Sequence, residues 1–262
     1  MNPTKSDSMW RVKSLTDILL KENEKIEDLQ CKGLRIIQNK KWFCFGMDAV
    51  LLANYCELKK GSRVVDLGTG TGIIPLILYA KKDISEAIGV EIQPEVAEMA
   101  QRSVKLNKLE DTIKILNLDL REITKHLEPH SFDAVISNPP YKLYNSGIKN
   151  PSDQKAISRH EIMCNLEDVI QNAGKLLKQY GKFYMIHRPD RLVDIMCLLR
   201  EYRLEPKRIR FIHSHVNDKP SMVMIQASKN GNKELKFDPP LYVYNEKGEF
   251  NEEIHTIYSS QE

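Results

Sequence analysis

The chain has no CxxC pair, no long apolar run and no internal repeat, and each absence removes a class of protein. Its five cysteines, Cys31, Cys44, Cys56, Cys164 and Cys197, are odd in number and dispersed. That pattern argues against a disulfide scaffold and for free thiols in a reducing compartment. No stretch reaches the roughly 18 apolar residues that a membrane-spanning helix needs. The segment from Met1 to Trp10 is polar and lacks the apolar centre of a signal peptide. Both features point to the cytoplasm and away from a membrane partner. An excess of one charge is also missing, since 39 Lys and Arg stand against 36 Asp and Glu, a net +3. Overall charge is therefore a weak argument for a nucleic-acid partner. His213 and His215 are spaced HxH without a further ligand, so they read as polar strand-end residues and no metal is expected.

What is present is an alternation of short apolar runs and helical patterns. The run RVVDL at 63–67 reads as a buried strand followed by glycines, and 73–80 as a helix with Pro75 in its first turn. AIGVEI at 87–92 is a second strand, and Pro94 opens a helix whose apolar face carries Val96, Ala97, Ala100, Val104 and Leu106. Residues 112–116 make a third strand and FDAVIS at 132–137 a fourth. A helix over 166–177 ends near Gly181, with strand 183–187, helix 190–202 and strands 208–213 and 222–227 after it. Strands separated by helices pair in parallel through right-handed crossovers. Only HVNDKPS separates the last two strands, too little for a crossover helix, so they should pair antiparallel. The expectation is a doubly wound α/β sheet of seven strands, mostly parallel, with its last strand reversed. Residues 1–60 form an N-terminal extension, 61–230 the main domain and 231–262 a tail packing on it.

The stretch VVDLGTGTG at 64–72 sets three glycines between a strand and a helix, where the backbone can turn sharply and approach a ligand. The spacing Gly68-x-Gly70-x-Gly72 departs from the G-x-G-x-x-G of dinucleotide sites. Asp66, just before the loop, would repel a pyrophosphate but suits the ammonium of a methionine moiety. Glu91 closes the second strand and can accept hydrogen bonds from both ribose hydroxyls. Asp119 follows the third strand and can bond an adenine amine, with Leu120 against the ring. Each has a bland reading: Asp66 and Glu91 as exposed strand ends, Asp119 as a helix cap. Three carboxylates at the carboxyl ends of successive strands favour a cofactor, S-adenosylmethionine (SAM), held also by Thr69 and Ile92.

Asn138-Pro139-Pro140-Tyr141 ends the fourth strand, at the same edge as the glycines. Two prolines can simply stop a strand. The flanking Asn and Tyr favour chemistry. An aromatic exocyclic amine is a poor nucleophile because its lone pair is delocalised into the ring. It becomes reactive when acceptors hold its two protons and the nitrogen pyramidalises. The side-chain oxygen of Asn138 and the carbonyl of Pro139 can be those acceptors, the prolines stiffen the turn, and Tyr141 can stack on the base, worth about 1–3 kcal/mol in comparable contacts. Asn138 also borders the cofactor. Catalysis is then positioning plus matched dipoles, with no strongly perturbed general base.

DLGTGTG and NPPY together resemble class I methyltransferases of the N6-adenine type, a Rossmann-like fold. FGMDAVLLA at 45–53, RHE at 159–161 and HRP at 187–189 are similar, more narrowly, to the bacterial tRNA(Val) adenine-N6 methyltransferase family. The resemblance covers nearly the whole chain. It implies SAM as cofactor, the adenine 3′ of the anticodon as target, and an N-terminal segment folded over the methionine end of the cofactor, with Asp48 near it. The alternative for residues 45–53 is a packed hairpin and helix start.

Local basic clusters fit an RNA substrate, with tRNA the foremost candidate. They include Lys142, Lys149, Lys155 and Arg159 after the catalytic turn, Arg203 to Lys219, and Lys40 and Lys41 beside Trp42. Tyr141, Lys142, Lys149, Arg159 and Arg188 are the candidate substrate contacts; a solvated mixed-charge surface is the plain alternative. Glutamine methyltransferases acting on release factors carry a helical domain before the glycine loop, for which the 65 residues preceding Asp66 leave little scope. DNA adenine methyltransferases carry a large recognition domain, so DNA is not expected, and guanine-N2 rRNA enzymes prefer Phe after the prolines. An inactive RNA-binding scaffold of the same fold is the non-enzymatic alternative. A monomer or homodimer is expected.

Overall fold

A computed structural model describes residues 20–41, 45–140 and 165–259. The elements are β1 (Glu24–Asp28), β2 (Arg35–Asn39), α1 (Met47–Tyr55), β3 (Arg63–Leu67), α2 (Ile73–Lys82), β4 (Glu86–Glu91), α3 (Pro94–Leu106), β5 (Ile113–Asn117) and β6 (Phe132–Ser137). After them come α4 (Leu166–Leu176), β7 (Leu177–His187), α5 (Leu192–Glu201), β8 (Leu204–His213), β9 (Pro220–Lys229), β10 (Lys236–Phe237), β11 (Leu241–Tyr242) and α6 (Glu252–Tyr258). Short 3-10 turns stand at Leu120–Lys125 and Pro189–Arg191.

The main sheet runs β10-β8-β9-β7-β6-β3-β4-β5, with β11 also on β8. Strands β3 to β7 pair in parallel, while β9 is antiparallel to both β7 and β8. The reversed strand and the mostly parallel sheet agree with the expected class. The strand count differs: among the described residues the sheet has nine strands where seven are expected, because β10 and β11 join the free edge of β8 in parallel. Each is two residues long and Pro239 and Pro240 lie between them, so neither carries a readable alternation. A second difference lies at Gly181, expected to end a helix. There α4 passes directly into β7 at Leu177, and Gly181 sits inside the strand. A Cβ at that position would stand 2.9 Å from the Lys178 carbonyl oxygen, beside a register shift between Phe132 and Ala134.

Two apolar layers cover the sheet. On one face α1, α2, α3 and α6 pack on residues such as Val64, Ile136, Tyr184 and Met224. On the other, α4 and α5 pack on Val65, Val135, Phe183 and Ile225. Alternate residues of each central strand thus face opposite helices, and the strands read as continuous apolar runs for that reason. Helix α3 starts with Pro94 at its first position, and α4 with a capping box between Asn165 and Asp168.

The N-terminal hairpin β1–β2 docks on α3. Arg102 donates to Glu24 at 2.7 and 2.6 Å and to Glu98, and Ser103 Oγ accepts the Ile37 N–H at 3.0 Å. The chain then crosses to α1, which lies against α2 and β7; the Tyr184 hydroxyl donates to the Glu57 carbonyl at 2.8 Å just beyond it. Helix α6 closes over α1, with Ile254 fully buried and Lys81 Nζ donating to the Ile257 carbonyl at 2.5 Å. No helix of the described residues is long and apolar enough to cross a membrane.

Candidate active site

Strand order reverses between β3 and β6: the chain goes from β3 outward to β4 and β5, then returns to β6 on the other side. Open parallel sheets bind ligands at such a switch point, outside the carboxyl ends of the strands. Leu67 of β3 pairs with Ser137 of β6, and Ser137 Oγ donates to the Leu67 carbonyl at 2.8 Å. The next residues are Gly68 on one strand and Asn138 on the other. The glycine loop and the Asn-Pro turn therefore leave adjacent strands at the same height and edge.

The loop owes its shape to its glycines. Gly68, Gly70 and Gly72 have φ of +77°, +55° and +84°, a region that L side chains rarely adopt. A Cβ on Gly68 or Gly70 would meet nothing within 4 Å, so space beside the backbone is open to a ligand. The N–H groups of Gly68 and Thr69 both donate to the Val90 carbonyl at 2.9 Å, and Gly70 N–H donates to Glu91 Oε2 at 3.0 Å. Glu91 is buried and also accepts from Gln93 N–H at 3.0 Å. Ile92 is half-exposed just beyond it.

Beneath the loop, Asp66 is 1% exposed, and neither of its carboxylate oxygens nor Thr69 Oγ1 has a hydrogen-bond partner among the described residues. Burial pushes the Asp66 carboxyl up to about 7; nearby Thr69 opposes that shift and the Glu91 charge adds to it. A carboxylate buried without a charged partner is costly, and a cationic ligand group would relieve it. These orphaned acceptors, the open glycine cradle and Glu91 fit a ligand that carries an ammonium and hydroxyls.

Gly89 of β4 gave no signal in sequence. A Cβ there would stand 2.7 Å from Ile115 Cδ1 and 2.8 Å from both Thr69 Oγ1 and Cγ2. The strand needs a glycine so that Thr69 can sit under the loop. Gly89→Ala is expected to cost about 1–3 kcal/mol by overpacking and to displace Thr69. Lower Tm together with weaker cofactor binding would show it; a variant with wild-type values of both would refute it.

Asp119 and Leu120 lie just beyond the end of β5. Asp119 caps the 3-10 turn at Leu120–Lys125, and its oxygens accept from the Arg121 N–H at 2.9 Å and guanidinium at 3.0 Å. The Arg121 guanidinium holds the Asp119 carboxyl below the usual range. Leu120 is buried in the α4–α5 layer. The cap reading thus describes the present contacts of Asp119; an adenine amine would share that carboxylate with Arg121.

At the turn, Asn138 and Pro139 are half-buried and Pro140 is exposed. Asn138 Nδ2 donates to Asp48 Oδ2 at 3.1 Å, a contact across 90 positions of chain. Asp48 stands in the first turn of α1, and its Oδ1 accepts the Ala49 N–H at 2.9 Å. Tyr258 of α6 comes close enough for the Asp48 charge, after burial, to help raise its phenol above the usual range. His187, at the end of β7, is buried, and its Nδ1 accepts the Arg188 N–H at 2.8 Å; burial holds the imidazole below its usual pKa. Arg188 is exposed and pairs loosely with Asp190 at 3.7 Å. Tyr141, Lys142, Lys149 and Arg159 lie outside the described residues, as do Trp42, Lys155 and the RHE segment. His213 and His215 belong to an aromatic cluster with Tyr242 and Tyr244, and no group of three or more metal-ligating side chains occurs among the described residues.

Comparison with known proteins finds relatives of this chain. A family model described as the methyltransferase small domain fits residues 46–196. A tRNA1(Val) (adenine(37)-N6)-methyltransferase of Porphyromonas gingivalis is 31% identical over 185 residues, covering 68% of this chain and 72% of that protein. One of the same name from Phocaeicola vulgatus is 27% identical over 206 residues, covering 77% and 86%. Among solved structures, an Agrobacterium tumefaciens protein described as a predicted O-methyltransferase superposes with TM-score 0.65 at 23% identity, over 82% of this chain and 98% of its own. Geranyl diphosphate C-methyltransferase from Streptomyces coelicolor A3(2), in complex with Mg2+, geranyl diphosphate and S-adenosyl-L-homocysteine, does so with TM-score 0.52 at 14% identity, over 70% and 77%. At such identities these two structures speak for the fold alone.

Proposed function

This chain belongs to the methyltransferase small domain family, and from that premise we propose that it is a SAM-dependent enzyme methylating the N6 amine of an adenine in RNA. The adenine 3′ of the anticodon of tRNA(Val) is the specific target, in keeping with the names of relatives that match most of the chain. The observation that carries this reading is the Leu67–Ser137 pairing, which starts the glycine loop and the Asn-Pro turn side by side. A ligand held by the first reaches a base held by the second.

SAM, when bound, supplies an electrophilic methyl group on a sulfonium. The chain's own residues do the rest. Asp66 takes the ammonium end, the backbone of Gly68 to Gly72 cradles the methionine moiety, and Glu91 accepts from ribose hydroxyls. Asn138 Oδ1 and the Pro139 carbonyl accept the two protons of the adenine amine and draw its lone pair out of conjugation. The proton leaves to solvent after transfer, so no residue need be a strong base. An adenine in an RNA loop is already partly unstacked and costs less to flip than one in a duplex. Arg188, at the end of β7, contacts phosphate, as do the basic residues that the sequence supplies after the turn, and the cytoplasm is where such a substrate is found.

The test is methyl transfer from labelled SAM to a tRNA(Val) transcript, with the product nucleoside identified by mass spectrometry. N6-methyladenosine at that one adenine is expected. A transcript carrying guanine there should accept no methyl group; equal labelling of both transcripts would refute the assignment.

A further inference from the structure

We propose that Asp48 is a positioning residue that decides which half of the Asn138 side chain meets the substrate amine; this rests on the role given to Asn138 above. The two ends of an amide side chain have nearly the same shape, so its partners choose its orientation. For the chemistry described, the choice matters. With Oδ1 forward the amide accepts a proton of the amine, whereas with Nδ2 forward a donor faces a donor.

The geometry makes the choice one-sided. Asn138 Nδ2 donates to Asp48 Oδ2 at 3.1 Å, which turns Oδ1 to the other side of the amide. An ionised carboxylate only accepts. Flipping the amide would lose a charge-assisted hydrogen bond and set oxygen against oxygen.

Asp48 is itself held in place. Its Oδ1 accepts the Ala49 N–H at 2.9 Å, and the positive end of α1 favours a carboxylate there. A Cβ on Gly46 would fall 2.7 Å from that same Oδ1, so the glycine makes room for the conformation. Behind it, Ala49 to Ala53 of α1 are buried in the core, and α6 covers the helix. The carboxylate is thus presented to the turn by a rigid element.

Two acceptors at residue 48 are in use, one for Ala49 and one for Asn138. Asparagine at 48 offers one side-chain oxygen in place of two, so in this geometry its NH2 faces one of the two donors; alanine offers none. With SAM saturating, Asp48→Ala is expected to lower kcat about tenfold to a hundredfold, the range for one hydrogen bond to a charged group. Asp48→Asn should fall between it and the wild type. Calorimetry should give a SAM Kd within about twofold of wild type for both. In protein labelled with 15N-asparagine, the side-chain amide signal of Asn138, identified by its loss in Asn138→Ala, should move in Asp48→Ala.

Unchanged kcat in Asp48→Ala would overturn the proposal. So would a Kd weakened tenfold or more with kcat at saturation unchanged, because Asp48 would then be a ligand of the cofactor. If the alanine variant fails to fold, Asp48→Asn decides by the same readings. The underlying reading fails separately: wild-type turnover in Asn138→Ala would remove the role of Asn138 itself, whatever the Asp48 variants do.

Discussion

Replacing Asn138 by alanine is expected to slow methyl transfer by about a hundredfold to a thousandfold, the cost typical of removing one preorganised polar group aimed at developing charge. SAM affinity should remain within about twofold of wild type, since the neighbouring β3 loop and Glu91 stay intact. Single-turnover rates on tRNA(Val) with saturating SAM, set beside calorimetry, separate the two effects. Asn138→Asp is expected to fail as well, although it keeps an acceptor. It would put a second carboxyl where Nδ2 now stands 3.1 Å from Asp48, and two carboxylates that close cannot both ionise freely. Wild-type rates in either variant would mean that the amine is activated elsewhere.

Asp66 should make cofactor binding depend on pH across neutrality. Its carboxyl, pushed up to about 7 by burial, carries a proton in the free protein at pH 6. That proton must leave before the group can pair with an ammonium. SAM binding is therefore expected to weaken as pH falls, by about tenfold between pH 8 and pH 6. Asp66→Asn should flatten the profile and bind about tenfold to a hundredfold more weakly at pH 8, where the lost interaction is one with a charged group.

The stability of the free protein moves in the opposite direction. A carboxyl whose pKa is raised on folding contributes stability below its unfolded value of 3.8, and that contribution is lost as pH rises through about 7. Carboxylates such as Glu24, Glu86, Glu98 and Asp133 have lowered values, so their contribution is present above the ordinary carboxylate range and is lost on acidification. Between about pH 5 and 7 those carboxylates are already ionised, while the buried His187, held below its usual pKa, contributes with the opposite sign; the Asp66 contribution is therefore read as the difference in Tm between wild type and Asp66→Asn. Affinity for SAM that stays flat from pH 6 to 8 in the wild type would sink the assignment of Asp66 to the ammonium.

Much of this site was legible because its signals are local. The strand at Phe132–Ser137 is bounded by polar residues before and Asn-Pro after, and it occurs with those bounds. Gly68, Gly70 and Gly72 announce a turn because each occupies a conformation that other residues avoid. What escaped depends on distance or on space. The contact between Asp48 and Asn138 joins residues 90 positions apart, and neither segment carries a trace of the other. Gly89 is needed for the room it leaves to Thr69, and in a strand such a glycine looks like any small residue. Gly181 shows the converse: glycine commonly ends helices, so its sequence context suggests a helix end, but here it lets β7 pass over a register shift. Strands β10 and β11 escaped because two residues have no period.

Helix α6 covers α1, and α1 carries the carboxylate that orients Asn138. Residues 252–258 leave the ribosome after every strand of the sheet has been synthesised. A nascent chain can build its glycine loop and Asn-Pro turn early, as domains fold during synthesis, yet α1 lacks its cover until residues 252–258 have been made. A truncated product that carries both motifs but stops short of α6 is expected to hold them around a loosened α1.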